Sequence, residues 1–272
     1  MTSFTAACLQ MRSGLDIAAN VAAVQDGVRE AKRRGAAFVA TPEMTPLLDI
    51  KPRRLFEQID GAAEFEALRS LQSIAEGAQI WLLIGSMAVR VAERQAANRA
   101  FLLSPDGEIA AQYDKIHMFD VELAGGESYR ESSVYAAGGE AVVAETPLAA
   151  FGLSICYDLR FPKLYRDLAS RGAGVLCVPA AFTVQTGEAH WEALLRARAI
   201  ETGAYVVAPA QGGAHEDGRR TFGRSTIIGP WGDVLATAED DSPGVVSAVL
   251  DMDAVADARS RIPAWRLEQD WR

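Results

Sequence analysis

The chain has 272 residues, 49% of them hydrophobic, and a formal net charge of -9, the composition of an ordinary globular protein with enough apolar residues for a substantial core. The acidic balance argues against DNA or RNA as a partner, since no basic run exceeds short groups such as Lys32-Arg33-Arg34 and Arg219-Arg220. No apolar run approaches the ~20 residues of a membrane helix, and the start, MTSFTAACLQM, alternates like a strand without the basic flank of a signal peptide, so a soluble cytoplasmic protein with no membrane partner is expected.

Residues 17 to 34 carry Ile17, Val21, Val24, Val28 and Ala31 at alternating spacings of four and three, an apolar stripe on one helical face. The strand AAFVA follows, then a helix around residues 63 to 77 bearing Phe65, Leu68, Leu71 and Ile74, and a long strand IWLLIGSMAV. ANRAFLLSPDGEIAAQYDK reads as two strands around an Asp-Gly turn, and GGESYRESSVYAAGG as an extended loop. The second half repeats the order: strand 150–156, helix from about 162 to 172, strand VLCVPAA, helix 189–202, strand AYVVAPA, and STIIGPWGDVLAT as a two-strand unit turning at Gly232. On the helix 189–202, Trp191, Leu194, Leu195 and Ala199 share one packing side, and Trp231 is expected in the core beside the hairpin.

Strands alternating with helices of this length call for mainly parallel pairing, and the paired strands ending each half predict two sheets. If helices cover one face of each sheet, the remaining apolar faces bury each other. The expectation is an α/β protein: a four-layer α-β-β-α sandwich of two mainly parallel or mixed sheets with an internal two-fold topological repeat. Neither half covers its inner sheet face alone, so residues 1–272 are expected to form one domain.

The three cysteines, Cys8, Cys156 and Cys177, are an odd, widely spaced set without a CxxC pair, which fits neither a disulfide framework nor a zinc knuckle. Cys8 and Cys177 lie in apolar runs and read as packed core thiols. His117, His190 and His215 are scattered without metal-ligand spacing, so no metal and no cofactor are expected. Cys156 differs. It follows the apolar strand FGLSI and precedes a helix-like segment, an address that exposes a nucleophile at a sheet edge and where a helix N-terminus is expected to lower a thiol pKa. Glu43, just past AAFVA in TPEM, and Lys115, after EIAAQY in YDKIH, end strands in the same way.

With these residues in place, the chain resembles the nitrilase, or carbon–nitrogen hydrolase, superfamily over nearly its whole length. The resemblance rests on TPEM, YDKIH and SICYDLRFP, together with GAHEDGRRTFGRSTIIGPWGDVLA and EAHWEALLRARAIETGAYVVAPAQ. It implies the same four-layer fold and a Glu–Lys–Cys triad of Glu43, Lys115 and Cys156. Cys156 would attack an amide carbon and Glu43 would move the protons. Lys115 and the backbone N–H of Tyr157 would hold the oxyanion, and a thioester would form and be hydrolysed. Family members carry a second glutamate near the lysine; Glu131 in YRESS matches it, with Glu122 and Glu127 as competitors.

Among the branches, RESS, CYDLRFP, HWEALLRARAIET, YVVAPAQ and the Gly-Arg-Ser segment at 223–225 look most like the deaminated glutathione amidases, with ω-amidases acting on 2-oxoglutaramate close behind. A carboxylate-bearing amide substrate in an acidic protein needs local cations, and Arg130, Arg160, Arg220 and Arg224 are the candidates. Alternatives are another amidase or a nitrilase, or an idle dimeric interaction subunit, against which the retained triad speaks. The resemblance and the apolar residues Ile262, Pro263 and Trp265 further imply a homodimer, with the C-terminal segment of about 252–272 packing at the interface.

Overall fold

The computed structural model describes residues 3–59, 61–123, 126 and 128–267, with the side chains of 62–64 excepted. Its strands form two large sheets. The first runs Gly244–Asp251, Ser3–Gln10, Ala36–Ala40, Trp81–Ala92, Gln95–Leu103, Ile109–Asp114, with Tyr135–Ala136 also beside Gln95–Leu103. The second runs Val143–Glu145, Ala150–Leu153, Val175–Cys177, Tyr205–Ala208, Thr226–Ile228, Val234–Thr237. In each, three neighbouring strands are parallel, with one antiparallel strand on one flank and an antiparallel pair on the other. The internal repeat therefore holds strand for strand. Its first flanking strand comes from the far end of the chain: Gly244–Asp251 pairs with Ser3–Gln10, with Ser3 opposite Asp251 and Gln10 opposite Gly244.

Alternation along each strand decides what each face meets. From the first sheet, Ala6, Cys8, Phe38, Ala40, Leu83 and Leu102 join Phe151, Leu153, Val175, Cys177, Val206 and Ile227 of the second in one buried cluster. Phe38 stacks on Phe151 across the two sheets, centroids 4.4 Å apart. The alternate residues Ala7, Leu9, Val39, Leu82 and Ile84 pack instead with Val24 and Val28 of the helix Ile17–Arg33 and Leu71 and Ala75 of the helix Ala62–Ala78. On the outside of the second sheet lie the helices Pro162–Ser170 and Val184–Thr202, contributing Leu164, Leu168, Trp191, Leu195 and Ala199. The layers are helix, sheet, sheet, helix. Cys8 and Cys177 are buried core thiols, as expected.

Several elements differ from the sequence reading. The strand after Ala149 ends at Leu153, and Cys156–Arg160 is a 3-10 turn before the helix Pro162–Ser170. The helix Val184–Thr202 starts five residues earlier than 189 because Thr183 caps it, accepting from Thr186 N–H. Gly187 inside it leaves room for the Phe222 ring, which lies 2.2 Å from where a Cβ would sit. Phe65 and Trp231 are 61% and 57% exposed rather than buried. Ala67, Leu71 and Ala75 form the buried stripe of that helix, off Phe65, and Trp231 sits in the turn closed by Gly232 N–H to Gly229 O. The short helices Pro52–Gln58 and Met252–Arg261 were not anticipated.

The C-terminal segment packs on its own chain: the Arg259 guanidinium lies 4.8 Å over the Trp265 ring, and Arg166 donates to Leu267 O at 2.8 Å. Residues 268–272 of that segment lie outside the described residues. Among the described residues, no helix is long and apolar enough to cross a membrane.

Candidate active site

Glu43, Lys115 and Cys156 each follow the C-terminal end of a strand, where an α/β sheet leaves a crevice. The loop carrying Glu43 is pinned from below. Met44 N–H donates to Ser86 Oγ at 2.9 Å and Thr45 N–H to Ser86 O at 2.8 Å, while Met44 itself adopts φ of +57°. A Cβ at Gly85 would fall 1.9 Å from Thr41 O and 2.4 Å from Pro179 Cβ, so only glycine lets the Glu43 loop approach the second sheet this closely.

Lys115 is anchored by its backbone N–H to Asn98 O at 3.0 Å, and Gly138 N–H returns to Lys115 O at 2.8 Å. Its Nζ donates to Glu43 Oε1 and to both Glu131 oxygens, each at 2.9 Å. Glu131 opens the 3-10 turn Glu131–Ser133 and also accepts from Phe119 N–H at 2.6 Å. The competitor Glu122 is exposed and paired with Arg130; Glu127 lies outside the described residues.

Cys156 stands at φ of +49°, an unusual conformation for a residue with a side chain, and its N–H donates to Pro179 O at 2.8 Å. Asp158 supports this elbow. Fully buried, its carboxylate accepts from Ile155 N–H at 2.9 Å, Tyr113 OH at 2.7 Å and His117 N–H at 3.0 Å, with His117 Nδ1 at 2.7 Å. One carboxylate thus ties the residue before Cys156 to the segment two residues after Lys115. Among the described residues, none accepts a hydrogen bond from the Tyr157 N–H.

The electrostatics follow from one cation between two carboxylates. Burial pushes Glu43 up, but the Lys115 charge and hydrogen bonds from Lys115, Cys156 and Asn98 outweigh it and hold the carboxyl below its usual value. Burial works against the Lys115 ammonium, yet the charges of Glu131 and Glu43 keep it well above the usual lysine value. For Cys156, burial and then the Glu43 charge push the thiol well above its ordinary value, with Lys115 only partly opposing them. The lowered thiol pKa expected from a helix N-terminus is therefore reversed: a short 3-10 turn follows the cysteine, and a buried carboxylate faces it. At rest the site holds a neutral thiol beside an ionised Glu43.

Cys156, Glu43, Lys115 and Glu131 line one cavity of about 320 Å³, whose other walls include Phe119, Tyr135, Tyr157 and Phe182. Of the four arginines singled out from sequence, Arg130, Arg160 and Arg220 reach it. Arg224 does not: it points away, donating to Ala238 O at 3.2 Å and to Glu239 O. Arg160 lies 5.3 Å over the Phe182 ring and 5.8 Å over the Tyr157 ring, with His190 Nδ1 at 3.2 Å. Arg130 is bound to Glu122 at 2.7 Å. The sequence reading passed over Arg219, which also lines the cavity while held by Asp217 at 2.7 Å; it looked like half of a surface basic pair. It also passed over Asp158, because the residue that caps this turn is Ile155 and not the Ser or Thr that would mark a capping pair in sequence.

A four-layer sandwich with a thiol, two carboxylates and an ammonium converging at the strand ends is the architecture of a cysteine-dependent hydrolase. Residues 5–260 match the carbon–nitrogen hydrolase family, and the chain belongs to it; it is an amidohydrolase of small-molecule amides. It is 40% identical over 268 residues to a deaminated glutathione amidase from Synechocystis, covering 97% of each chain. The solved structure of Caenorhabditis elegans NitFhit matches with a TM-score of 0.93 at 33% identity, over 99% of this chain and 66% of that one. An amidase from Nesterenkonia sp., in a structure showing the result of Michael addition of acrylamide at the active-site cysteine, matches with a TM-score of 0.81 at 25% identity. That alignment covers 96% of this chain and 98% of the other.

Proposed function

We propose that this protein hydrolyses deaminated glutathione through a thioester on Cys156. The observation that carries the chemistry is the buried Lys115 ammonium bound to both Glu43 and the partly buried Glu131, with Glu43 in turn against the Cys156 thiol. With the thiol neutral, the set holds two negative charges and one positive, so a free thiolate would add a second net negative charge in a buried site. Sulfur therefore attacks the amide carbon as Glu43 takes its proton. The oxyanion forms against Lys115 and the unoccupied Tyr157 N–H. Glu43 returns the proton to the departing amine as the C–N bond breaks, leaving the thioester. Water then attacks, giving its proton to Glu43; the carboxylic acid leaves and the proton returns to sulfur. Glu131 holds Lys115 charged and aimed.

Support for the substrate is the similarity to a deaminated glutathione amidase over nearly the whole chain and the cationic cavity wall. Arg160 is the carboxylate contact we favour, because its partner His190 is not an acid, whereas Arg130 and Arg219 are already bound to carboxylates. Arg220 at the exposed rim is the second choice. Brief iodoacetamide treatment should modify Cys156 before Cys8 and Cys177 and abolish activity in step. The value of kcat/KM should be higher for deaminated glutathione than for 2-oxoglutaramate or a simple aliphatic amide. Prior modification of Cys177 would overturn the nucleophile; preference for 2-oxoglutaramate, or turnover of a nitrile alone, would overturn the substrate.

The same reading includes one domain, since the inner faces of the two sheets cover each other, and a cytoplasmic enzyme, to which three unpaired cysteines are suited. It also includes a homodimer. Trp231, Ile200, Val234 and Leu235 are exposed, and Ile200 lies against Gly232, next to Trp231. Exposed apolar side chains such as these, with Ile200 adjoining the Gly232 turn, support an interaction surface there.

A further inference from the structure

Asn98 lies within the strand Gln95–Leu103, fully buried and behind the cavity rather than on its wall. Its Nδ2 donates to Glu43 Oε1 at 2.9 Å and to Glu131 Oε1 at 3.2 Å. Its Oδ1 is buried and, among the described residues, has no hydrogen-bond partner. Exchanging the amide oxygen and nitrogen would set a carbonyl oxygen against two carboxylates, so the orientation is determined by the network. The fold leaves one acceptor unsatisfied and keeps both amide protons on the two glutamates.

The acceptor sites of Glu43 can be counted. A carboxylate offers about four, two on each oxygen. Oε1 takes Lys115 Nζ and Asn98 Nδ2; Oε2 takes Ala181 N–H at 3.0 Å. One site is left, on Oε2, and the Cys156 thiol is the remaining donor to Glu43. If Asn98 were absent, Oε1 would have a vacant site, and a proton could settle there, facing away from sulfur.

We propose that Asn98 is a positioning residue for amide hydrolysis: it closes Oε1 of Glu43, so that Oε2 alone exchanges protons with Cys156, and it aligns Glu131 on Lys115 with the same amide. This rests on Glu43 being the base. A buried strand asparagine that bridges both glutamates through one amide is matched to this task, and the orphaned Oδ1 is the mark of it.

The test is the pH dependence of Cys156 alkylation by iodoacetamide, which needs no assumption about substrate, alongside kcat and KM on deaminated glutathione. The titratable groups facing Glu43 are Lys115, Cys156, Glu131 and Tyr135, and none of them is altered by Asn98→Leu or Asn98→Asp. With one donor to its ionised form removed, Glu43 should titrate higher, and the acid limb should move up by about one pH unit in Asn98→Leu. That is about a tenfold slower alkylation at a given acidic pH. The nearly isosteric Asn98→Asp, which places a third carboxylate there, should move the limb further. KM should change less than kcat, because Asn98 does not touch the cavity. An unshifted limb in folded Asn98→Asp overturns the proposal, whatever Asn98→Leu does. Glu43→Gln, run in parallel, separates the failures. If Glu43→Gln keeps the wild-type limb, the assignment of Glu43 as base falls; if it loses the limb while both Asn98 variants keep it, only the role of Asn98 falls.

Discussion

Replacing Asp158 by Asn tests whether one buried carboxylate holds the nucleophile and lysine segments together. Oδ1 accepts from His117 N–H and faces His117 Nδ1, while Oδ2 accepts from Ile155 N–H and Tyr113 OH. An amide nitrogen is tolerated best in place of Oδ2, where Tyr113 can turn its hydroxyl to accept. The Ile155 N–H is then left against an NH2 group. An orphaned buried donor costs ~1–3 kcal/mol, and hydrogen bonds to a charged acceptor lose roughly 1 kcal/mol each when that acceptor becomes neutral. With one orphan and two or three weakened bonds, the expected loss is about 3–6 kcal/mol. At ~2–4 °C per kcal/mol for a chain near this size, the melting temperature should fall by roughly 6–24 °C. Because the orphan precedes Cys156, alkylation of Cys156 by iodoacetamide should slow even below the new melting transition. Tyr113→Phe removes one donor and leaves Asp158 ionised, so its loss should be no more than about 1–3 kcal/mol, with the elbow bond intact. Thermal melts and timed alkylation of the two variants decide the matter. An Asp158→Asn protein melting within about 2 °C of wild type, or alkylated at the same rate, would show that Asp158 does not hold the elbow.

Sedimentation velocity at micromolar concentration should show a dimer and no monomer, and Trp231→Glu should release the monomer if the patch around Ile200 is the interface; a stable, active wild-type monomer would sink that part of the reading. Burial pushes the Cys177 thiol above the ordinary range. Its stabilising contribution is therefore complete below the unfolded value near ~8.5 and is lost as pH rises toward the folded one, at about 1.4 kcal/mol per pH unit. Urea denaturation of reduced protein between about pH 9 and 10.5 should give a shallower decline for Cys177→Ala than for wild type; parallel declines would refute the assignment.

What the sequence made legible, and what it hid, follows from how far each signal extends along the chain. The helix Ile17–Arg33 and the strands beside it carry local periodicity, and each is read from its own residues. Glu43, Lys115 and Cys156 could be placed near one another because each closes an apolar strand, and strand ends meet along one edge. The strand Gly244–Asp251 has no such address: its partner Ser3–Gln10 lies at the other end of the chain, and only the tertiary fold brings them together. Asn98 is hidden for a different reason. Its spacing in ANRAFLL suits a half-buried strand, so nothing local distinguishes an amide facing water from one bridging two carboxylates across 33 and 55 residues.

The thiol shows how a correct location can carry the wrong electrostatics. A helix N-terminus acts within its first turn, and the turn after Cys156 is only a five-residue 3-10 segment, with the Asp158 carboxylate accepting from Ile155 N–H at its start. Burial and Glu43 then outweigh Lys115 at sulfur. A nucleophile held neutral needs its base in contact and correctly oriented, which a preformed thiolate does not. That demand explains why Glu43 is surrounded by donors from Lys115, Asn98 and Ala181, each from a different part of the chain, with its last acceptor site left to Cys156.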